Sequence, residues 1–197
     1  IYIMPRLLCT FKERYAGISF ELIISDTKDI LDRMENGLLD IGIVGAKSDT
    51  NKVDFKKLVD DTIIFIAPPD HPGTMTLAEL MDHPVIARER GSGTRNTIEA
   101  ALAKVRGVRK GGLTVIAELS DNEAIKRAVM NGMGMAYISR IAAAAEIDAG
   151  TLREVSVQGL PEIKRSLFTI TRRGKTILPQ VKVLMEIIDK WRRDEKA

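Results

Sequence analysis

The sequence predicts an α/β fold with mostly parallel sheets, and two observations support this. Strand-like apolar segments alternate with helical segments along most of the 197 residues, as they do in α/β proteins. A Pro-rich turn, Pro68 to Gly73, directly follows one strand, and the strand around Phe168 is its expected counterpart. Strands that cross between lobes at these two places would divide the chain into residues 1–67 with 168–197 and residues 68–167.

The first predicted lobe begins with a helix over Pro5 to Tyr15, whose apolar residues recur at helical spacing. Ile18 to Ile24 is rich in β-branched residues and predicts a strand. Thr27 is the expected N-cap of a helix that runs to Asn36. The lobe is completed by strands over residues 40–44 and 62–67 and by a last helix over residues 178–193.

The second predicted lobe opens with a short helix, for which Thr76 and Glu79 have the spacing of a capping box. Ser120 and Glu123 repeat that spacing before another helix, and Ser139 is the expected cap of an Ala-rich one. A further helix is predicted after residue 91. The predicted strands of this lobe lie over residues 85–88, 113–118, 133–138 and 151–157, and the strand over residues 166–171 is the one expected to cross back to the first lobe.

Composition excludes several classes of protein. Lys and Arg total 30, Asp and Glu total 27, and the formal net charge is +3, which does not identify a nucleic-acid binder. Cys9 is the only cysteine, and His71 and His83 are the only histidines. Neither a disulfide within the chain nor a zinc site of the usual Cys and His ligands is therefore expected. Because no apolar run reaches the roughly 18 residues of a membrane span and no signal peptide is visible, we expect a cytoplasmic protein with no membrane partner. No cofactor is expected.

The sharpest local feature is the segment Gly91–Ser92–Gly93–Thr94–Arg95, where a strand turns into a helix. The glycines let the backbone turn tightly, and the start of a helix offers unpaired N–H groups and a partial positive charge. The Ser92 and Thr94 hydroxyls and the Arg95 cation complete a site suited to sulfate, phosphate or carboxylate. The segment is not a Walker A loop. A well-capped turn without a ligand is the alternative interpretation.

Similar polar or Gly-containing segments lie at other strand ends. Taken singly, each favours a simple N-cap. In open α/β sheets, however, ligands bind beyond the carboxyl ends of the strands, where helix N-termini also lie. We therefore expect further ligand contacts from Ser25, Thr27, Val44, Gly45, Ser120, Asn122 and Glu123.

Other motifs predict no chemistry. Gly132 to Ala136 resembles part of a dinucleotide fingerprint, but it follows a helix rather than a strand, so a helix end entering a buried strand is expected. His71 and His83 each lie in an Asp-His-Pro turn without a neighbouring nucleophile, so no catalytic residue is assigned. Cys9 is expected to be a packed small residue.

With these motifs in order, the whole chain resembles the effector-binding domain of a LysR-type transcriptional regulator. Each motif is degenerate, but the order and spacing of the motifs together are specific. The matching segments are Met4 to Leu8 with Phe11 and Tyr15, Leu39 to Ile43, His71-Pro72, Gly91 to Arg95 and Asn131 to Ala136. Ala16 departs from the family, which often has Pro at this position.

The resemblance implies two Rossmann-like lobes of the periplasmic-binding-protein type II kind, joined by two crossover strands, with an effector in the cleft between them. It also implies a homodimer, or a tetramer of the full-length protein. DNA would be bound only through a winged helix-turn-helix and linker helix that precede this chain. The first strand of the family and its Ser/Thr-containing turn would likewise precede Ile1.

The Gly-Ser-Gly-Thr-Arg segment is most similar to regulators of sulfur-related metabolism, which implies a sulfate-like or carboxylate anion. Such an effector would favour one interlobe angle through its differential affinity for two states and so reset the dimer. A solute-binding protein of a transport system is the alternative function. An enzyme on the same scaffold, such as a deaminase or dehydratase, would need an acid, base or nucleophile that the motifs do not supply.

Overall fold

The computed structural model describes residues 2–108 and 112–194. The chain divides into two compact units, which we call unit 1 (Ile1–Asp60 with Ser166–Ala197) and unit 2 (Asp61–Arg165). The elements in chain order are α1 (Met4–Arg14), α2 (Thr27–Glu35), β1 (Gly42–Val44), β2 (Val53–Ala67), β3 (Thr74–Thr76), α3 (Leu77–Asp82), β4 (Pro84–Arg88), α4 (Gly93–Leu102), β5 (Thr114–Leu119), α5 (Asn122–Met130), β6 (Met135–Ser139), α6 (Arg140–Asp148), β7 (Arg153–Gln158), β8 (Ile163–Arg172) and α7 (Pro179–Asp194). The division between the units falls inside β2 and inside β8.

Unit 1 has two apolar clusters, one for each group of helices. Helices α1 and α7 pack together through Leu7, Phe11 and Ile188, with Leu58 of β2 beneath them. Helix α2 buries its apolar stripe, including Met34, against β1 and the end of β8. Strand β1 is antiparallel to β8. Both clusters follow from amphipathic helices that bury one face.

Unit 2 is built around strand β4, which lies between the parallel strands β5 and β6. All five residues of β6 are buried, as is usual for a parallel strand covered on both faces. Helices α4 and α5 follow β4 and β5 directly, so their N-termini lie at the carboxyl ends of adjacent strands. The fold thereby brings the predicted ligand segments of this unit to one edge.

The predicted strand over Ile18 to Ile24 is wrong. The segment has no regular structure and no ladder partner in the described part of the chain, and Phe20, Leu22 and Ile24 are exposed. A β-branched composition favours a strand only where a neighbouring strand can accept its hydrogen bonds. No such neighbour pairs with this segment.

The prediction of mostly parallel sheets is also wrong, because the sheets are mixed. β2 is antiparallel to β6 and to β7, whereas β3 is parallel to β7. β2 is one long strand, of which only residues 62–67 were predicted. Its first half is polar and half-exposed, so it carries no continuous apolar run. β3 was not predicted.

One predicted N-cap agrees with the structure, and two others differ from it by one residue. The capping box of Thr76 and Glu79 is confirmed. The N-cap of α2 is Asp26 rather than Thr27, and that of α5 is Asp121 rather than Ser120. A carboxylate next to the predicted hydroxyl caps each of these helices instead. Cys9 is exposed rather than packed.

Candidate functional site

The start of α4 lies just beyond the carboxyl end of β4. Gly91 has a φ of +97°, a conformation that glycine adopts without steric cost, and the chain enters the helix two residues later. Ser92 and Thr94 are both buried, with 2% and 5% of their surface exposed. The predicted anion segment is therefore a tight turn whose hydroxyl side chains point away from bulk water.

The hydroxyl of Ser92 is not used as a helix cap. Ser92 is the N-cap residue of α4, yet its side chain accepts no hydrogen bond from the helix and bonds to no described residue. In contrast, Asp26, Thr76 and Asp121 cap their helices through their side chains. The first N–H groups of a helix have no partner within it. The start of α4 thus combines a hydroxyl that does not cap the helix with N–H groups that the N-cap side chain leaves unsatisfied.

Thr94 contacts an arginine from a distant strand. Arg165 on β8 donates from Nη1 to Oγ1 of Thr94 at 3.0 Å and from Nε to Oδ2 of Asp61 at 2.8 Å. The side chains of Arg165 and Asp61 are 11% and 0% exposed. Oδ1 of Asp61 has no hydrogen-bond partner among the described residues. A largely buried cation and a fully buried carboxylate therefore lie beside the turn, and no sequence pattern indicates either of them.

Arg95, the predicted cation, is bound by carboxylates. Its Nε donates to Oε1 of Glu99 at 2.7 Å, and its Nη1 donates to Oε2 of Glu118 at 2.6 Å and to the carbonyl oxygen of Arg88 at 2.9 Å. Hydrogen bonds to Glu99 and Glu118 raise the pKa of Arg95 above its already high ordinary value. Arg95 in turn lowers the pKa of Glu118. These bonds fasten α4 to β5 and leave no unmatched positive charge on Arg95.

The start of α5 lies next to the start of α4. Arg88 and Leu119 face each other in the parallel pairing of β4 with β5, and Nη1 of Arg88 donates to Oδ1 of Asn122 at 2.7 Å. Ser120 is exposed. Glu123 forms an ion pair with Lys126 at 2.9 Å. The structure thus brings the two predicted segments of unit 2 together, with Asn122 the member most firmly held.

In unit 1, the predicted residues lie at the start of α2. Thr27 is the first residue of the helix. Hydrogen bonds from Arg33 and then from Ser25 lower the pKa of Asp29. The Ser25 hydroxyl is therefore engaged with the first turn of its own helix.

Val44 and Gly45 lie at the end of β1, which packs against α2. The side chain of Val44 is 3% exposed and belongs to the core of unit 1. Only backbone groups of Val44 are therefore available to a ligand. The chain turns away from the strand at Gly45.

The described residues contain neither a metal-binding cluster nor a membrane-spanning helix. Among residues 2–108 and 112–194, no group of three or more His, Cys, Asp or Glu side chains is placed to hold a metal ion. No helix within those ranges is long and apolar enough to cross a membrane. The rings of His71 and His83 pack edge to face with centroids 6.0 Å apart, and burial lowers the pKa of His71. The start of α4 remains the strongest candidate.

Comparison with protein families gives a match along almost the whole chain. The model of the LysR substrate binding domain matches residues 1–193. The RuBisCO operon transcriptional regulator of Allochromatium vinosum is 28% identical over 191 residues, which are 95% of this chain and 62% of that protein. The transcriptional regulator CbbR of Xanthobacter flavus is 31% identical over 194 residues, 96% of this chain and 57% of that protein. The chain spans about three fifths of the length of these curated relatives.

Solved structures agree with the family match. The regulatory domain of Synechocystis CcmR in complex with 2-PG has a TM-score of 0.83 and 29% identity, over 96% of this chain and 91% of that one. The effector-binding domain of QuiR in complex with shikimate has a TM-score of 0.81 over 98% of this chain and 91% of that one. Its 17% identity shows the fold alone. These likenesses confirm the predicted α/β class and the periplasmic-binding-protein-like fold of regulatory domains.

Proposed function

Since the chain belongs to the family of LysR substrate-binding domains, we propose that it is the effector-sensing domain of a transcriptional regulator and binds a small anionic effector at the start of α4. The curated relatives described above are transcriptional regulators, which favours this function over a solute-binding protein of a transport system. The family is one of ligand-binding domains rather than enzymes.

The observation that carries the proposal is that Ser92, a residue only 2% exposed, does not use its hydroxyl to cap α4 and leaves it beside the N–H groups of the helix. A helix N-terminus attracts negative charge, and its unpaired N–H groups can donate to oxygen atoms. Gly91 and Gly93 carry no side chains that would shield these groups. Thr94 adds a second hydroxyl. A sulfate-like or carboxylate group satisfies all of these donors at once.

Further contacts with the effector are proposed for the remaining predicted residues. In unit 2, Asn122 is linked to the end of β4, just before this turn, through its hydrogen bond with Arg88. Arg95 is proposed to position α4, because Glu99 and Glu118 already neutralise its positive charge. The other proposed contacts are Ser25, Thr27, Val44, Gly45, Ser120 and Glu123.

The proposed effector and the proposed role of the full-length regulator rest on the family. The CcmR domain was solved in complex with 2-PG, and we take that ligand as the first candidate effector. The full-length regulator is proposed to be a cytoplasmic homodimer or tetramer that binds DNA through a preceding winged helix-turn-helix. Effector binding would shift the population between two states of the dimer and so change the spacing of its DNA-binding heads.

Calorimetric titration tests the site. Wild-type protein is titrated with 2-PG and with sulfate, beside Ser92→Ala and Thr94→Val. Each variant removes one hydroxyl that would contact a charged group, so we expect affinity to fall about tenfold. Thr10→Val is the matched control, because Thr10 lies on the exposed side of α1 in unit 1 and bonds only to its own helix. Undiminished affinity in both site variants would exclude this site.

A further inference from the structure

Arg165 has more hydrogen-bond donors than its protein partners use. A guanidinium carries five N–H donors, of which Asp61 takes Nε and Thr94 takes one on Nη1. No described residue accepts a hydrogen bond from Nη2. The side chain is 11% exposed, so it is largely shielded from water without being closed off. Burying a cation whose N–H groups have no acceptor destabilises the fold unless another group accepts their hydrogen bonds.

The position of Arg165 connects it to the proposed effector site. Thr94 is the second residue of α4, and its Oγ1 accepts from Arg165 at 3.0 Å. The unshared Ser92 hydroxyl lies two positions earlier and is 2% exposed. A largely buried guanidinium and the hydroxyl of a buried serine therefore lie at the same helix start, in addition to the N–H groups of the helix.

The charge balance also separates Arg165 from Arg95. Arg95 bonds to two carboxylates, Glu99 and Glu118, so the group as a whole is negative. Arg165 bonds to one, Asp61, and that pair is neutral. An anion that approaches the start of α4 would be repelled less beside Arg165 than beside Arg95.

Building on the function proposed above, we propose that Arg165 is the cation that binds the acidic group of the effector. Asp61 positions Arg165 and, as a competing carboxylate, lowers its affinity for the anion. The planar guanidinium donates in parallel to two oxygens of one carboxylate or phosphate-type group. Lysine has no such fork. The site would therefore select acids that present two oxygens to Nη1 and Nη2, and Asp61 would keep binding weak enough to remain reversible.

Four variants test this in the same calorimetric titration with 2-PG and sulfate. Arg165→Lys keeps the positive charge but cannot donate in parallel to two oxygens, so affinity should fall at least about tenfold. Asp61→Asn removes the competing carboxylate, so affinity should rise about tenfold. A gain in affinity cannot come from misfolding. Asp61→Asn combined with Arg165→Gln removes both charges of the pair. This double variant should bind more weakly than Asp61→Asn and more weakly than the wild type. Arg173→Gln is the matched control, because Arg173 pairs with Asp54 on the exposed surface of unit 1.

Arg95→Gln tests the alternative that Arg95, rather than Arg165, binds the anion. If Arg95→Gln weakens binding more than Arg165→Lys does, or if Asp61→Asn leaves affinity unchanged, the assignment of Arg165 is wrong. If Ser92→Ala and Thr94→Val weaken binding while every Arg165 variant binds as the wild type does, this inference fails and the proposed site stands. If the wild-type protein binds neither anion, the proposed anionic effector and this inference fail together.

Discussion

Arg165 donates a hydrogen bond to Asp61, and these two residues are the last and the first of unit 2. They are 104 positions apart in the chain. The pair therefore joins β2 and β8 at the points where the chain enters and leaves this unit. The Asp61 side chain is fully buried and its second oxygen has no described partner, and Arg165 is the described counter-ion of this carboxylate.

Removing one member of this pair should destabilise the domain strongly. Arg165→Met leaves a buried carboxylate without a counter-ion, and we expect the free energy of unfolding to fall by about 3–5 kcal/mol. Urea denaturation measures this change. Asp61→Asn combined with Arg165→Met should recover most of the loss, because no isolated charge remains. A double variant less stable than Arg165→Met would contradict the pairing.

The buried Lys126 should matter in the same way between α5 and α6. Its side chain is 3% exposed, and Nζ bonds to Glu146 at 2.7 Å and to the carbonyl oxygen of Ala142 at 3.0 Å. We expect Lys126→Met to lower the free energy of unfolding by about 3 kcal/mol.

The control for Lys126 is Lys56→Met, since the Lys56–Asp189 pair is substantially exposed and should contribute less than about 1 kcal/mol. Both variants are compared by urea denaturation. Equal effects would show that the burial of Lys126 has no energetic consequence.

Gly134 and Gly132 form a matched pair for backbone strain. A Cβ on Gly134 would lie 2.6 Å from the carbonyl oxygen of Pro84 on the neighbouring strand, whereas a Cβ on Gly132 meets nothing within 4 Å. Gly132→Ala should cost about 1 kcal/mol because of its φ of +77°. Gly134→Ala must also push β4 and β6 apart and should cost about 3 kcal/mol. Equal thermal unfolding of the two variants would contradict this difference.

Glu118 and Glu79 should titrate below the ordinary carboxyl pKa of 4.5 for different reasons. Arg95 hydrogen-bonds to Glu118, and the backbone and hydroxyl of Thr76 hydrogen-bond to Glu79. A carboxyl whose pKa is lowered by folding stabilises the protein above pH 4.5 and loses this effect as pH falls through the folded value. Stability should therefore decline on acidification in this range.

NMR titration of the side-chain carboxyl carbons distinguishes the two causes. Arg95→Gln should raise the pKa of Glu118 towards 4.5 and leave that of Glu79 low. Thr76→Ala should raise the pKa of Glu79 only in part, because the backbone N–H of residue 76, the larger cause, remains, and it should leave the pKa of Glu118 low. A Glu118 pKa that stays low in Arg95→Gln would show that the Arg95 hydrogen bond is not its cause.

Local pattern predicted most elements because their signals are contained within a few residues. The capping box of Thr76 and Glu79 needs only a spacing of three, and the end of α5 at Asn131 with Gly132 follows from backbone preference. The segment after α1 failed for the opposite reason. Its composition suits a strand, but a strand exists only with a partner, and the order of strands is a property of the whole fold.

The candidate site divides in the same way. Its turn was predicted from adjacent glycines and hydroxyls, and the structure places Ser92 and Thr94 where that pattern implied, at the start of a helix after a buried strand. The role expected for Arg95 depended on its neighbours in space. Glu118 reaches it across 23 positions of chain, and no motif signals such a contact.

The sequence by itself determined the α/β class, the family resemblance and the anion-suited turn, because each can be recognised from short motifs and from their order along the chain. Only the tertiary structure decided which cation stands beside that turn. Arg165 is 71 positions from Thr94 and 104 from Asp61. The pairing of distant strands brings these side chains together, and burial in unit 2 makes their charges matter.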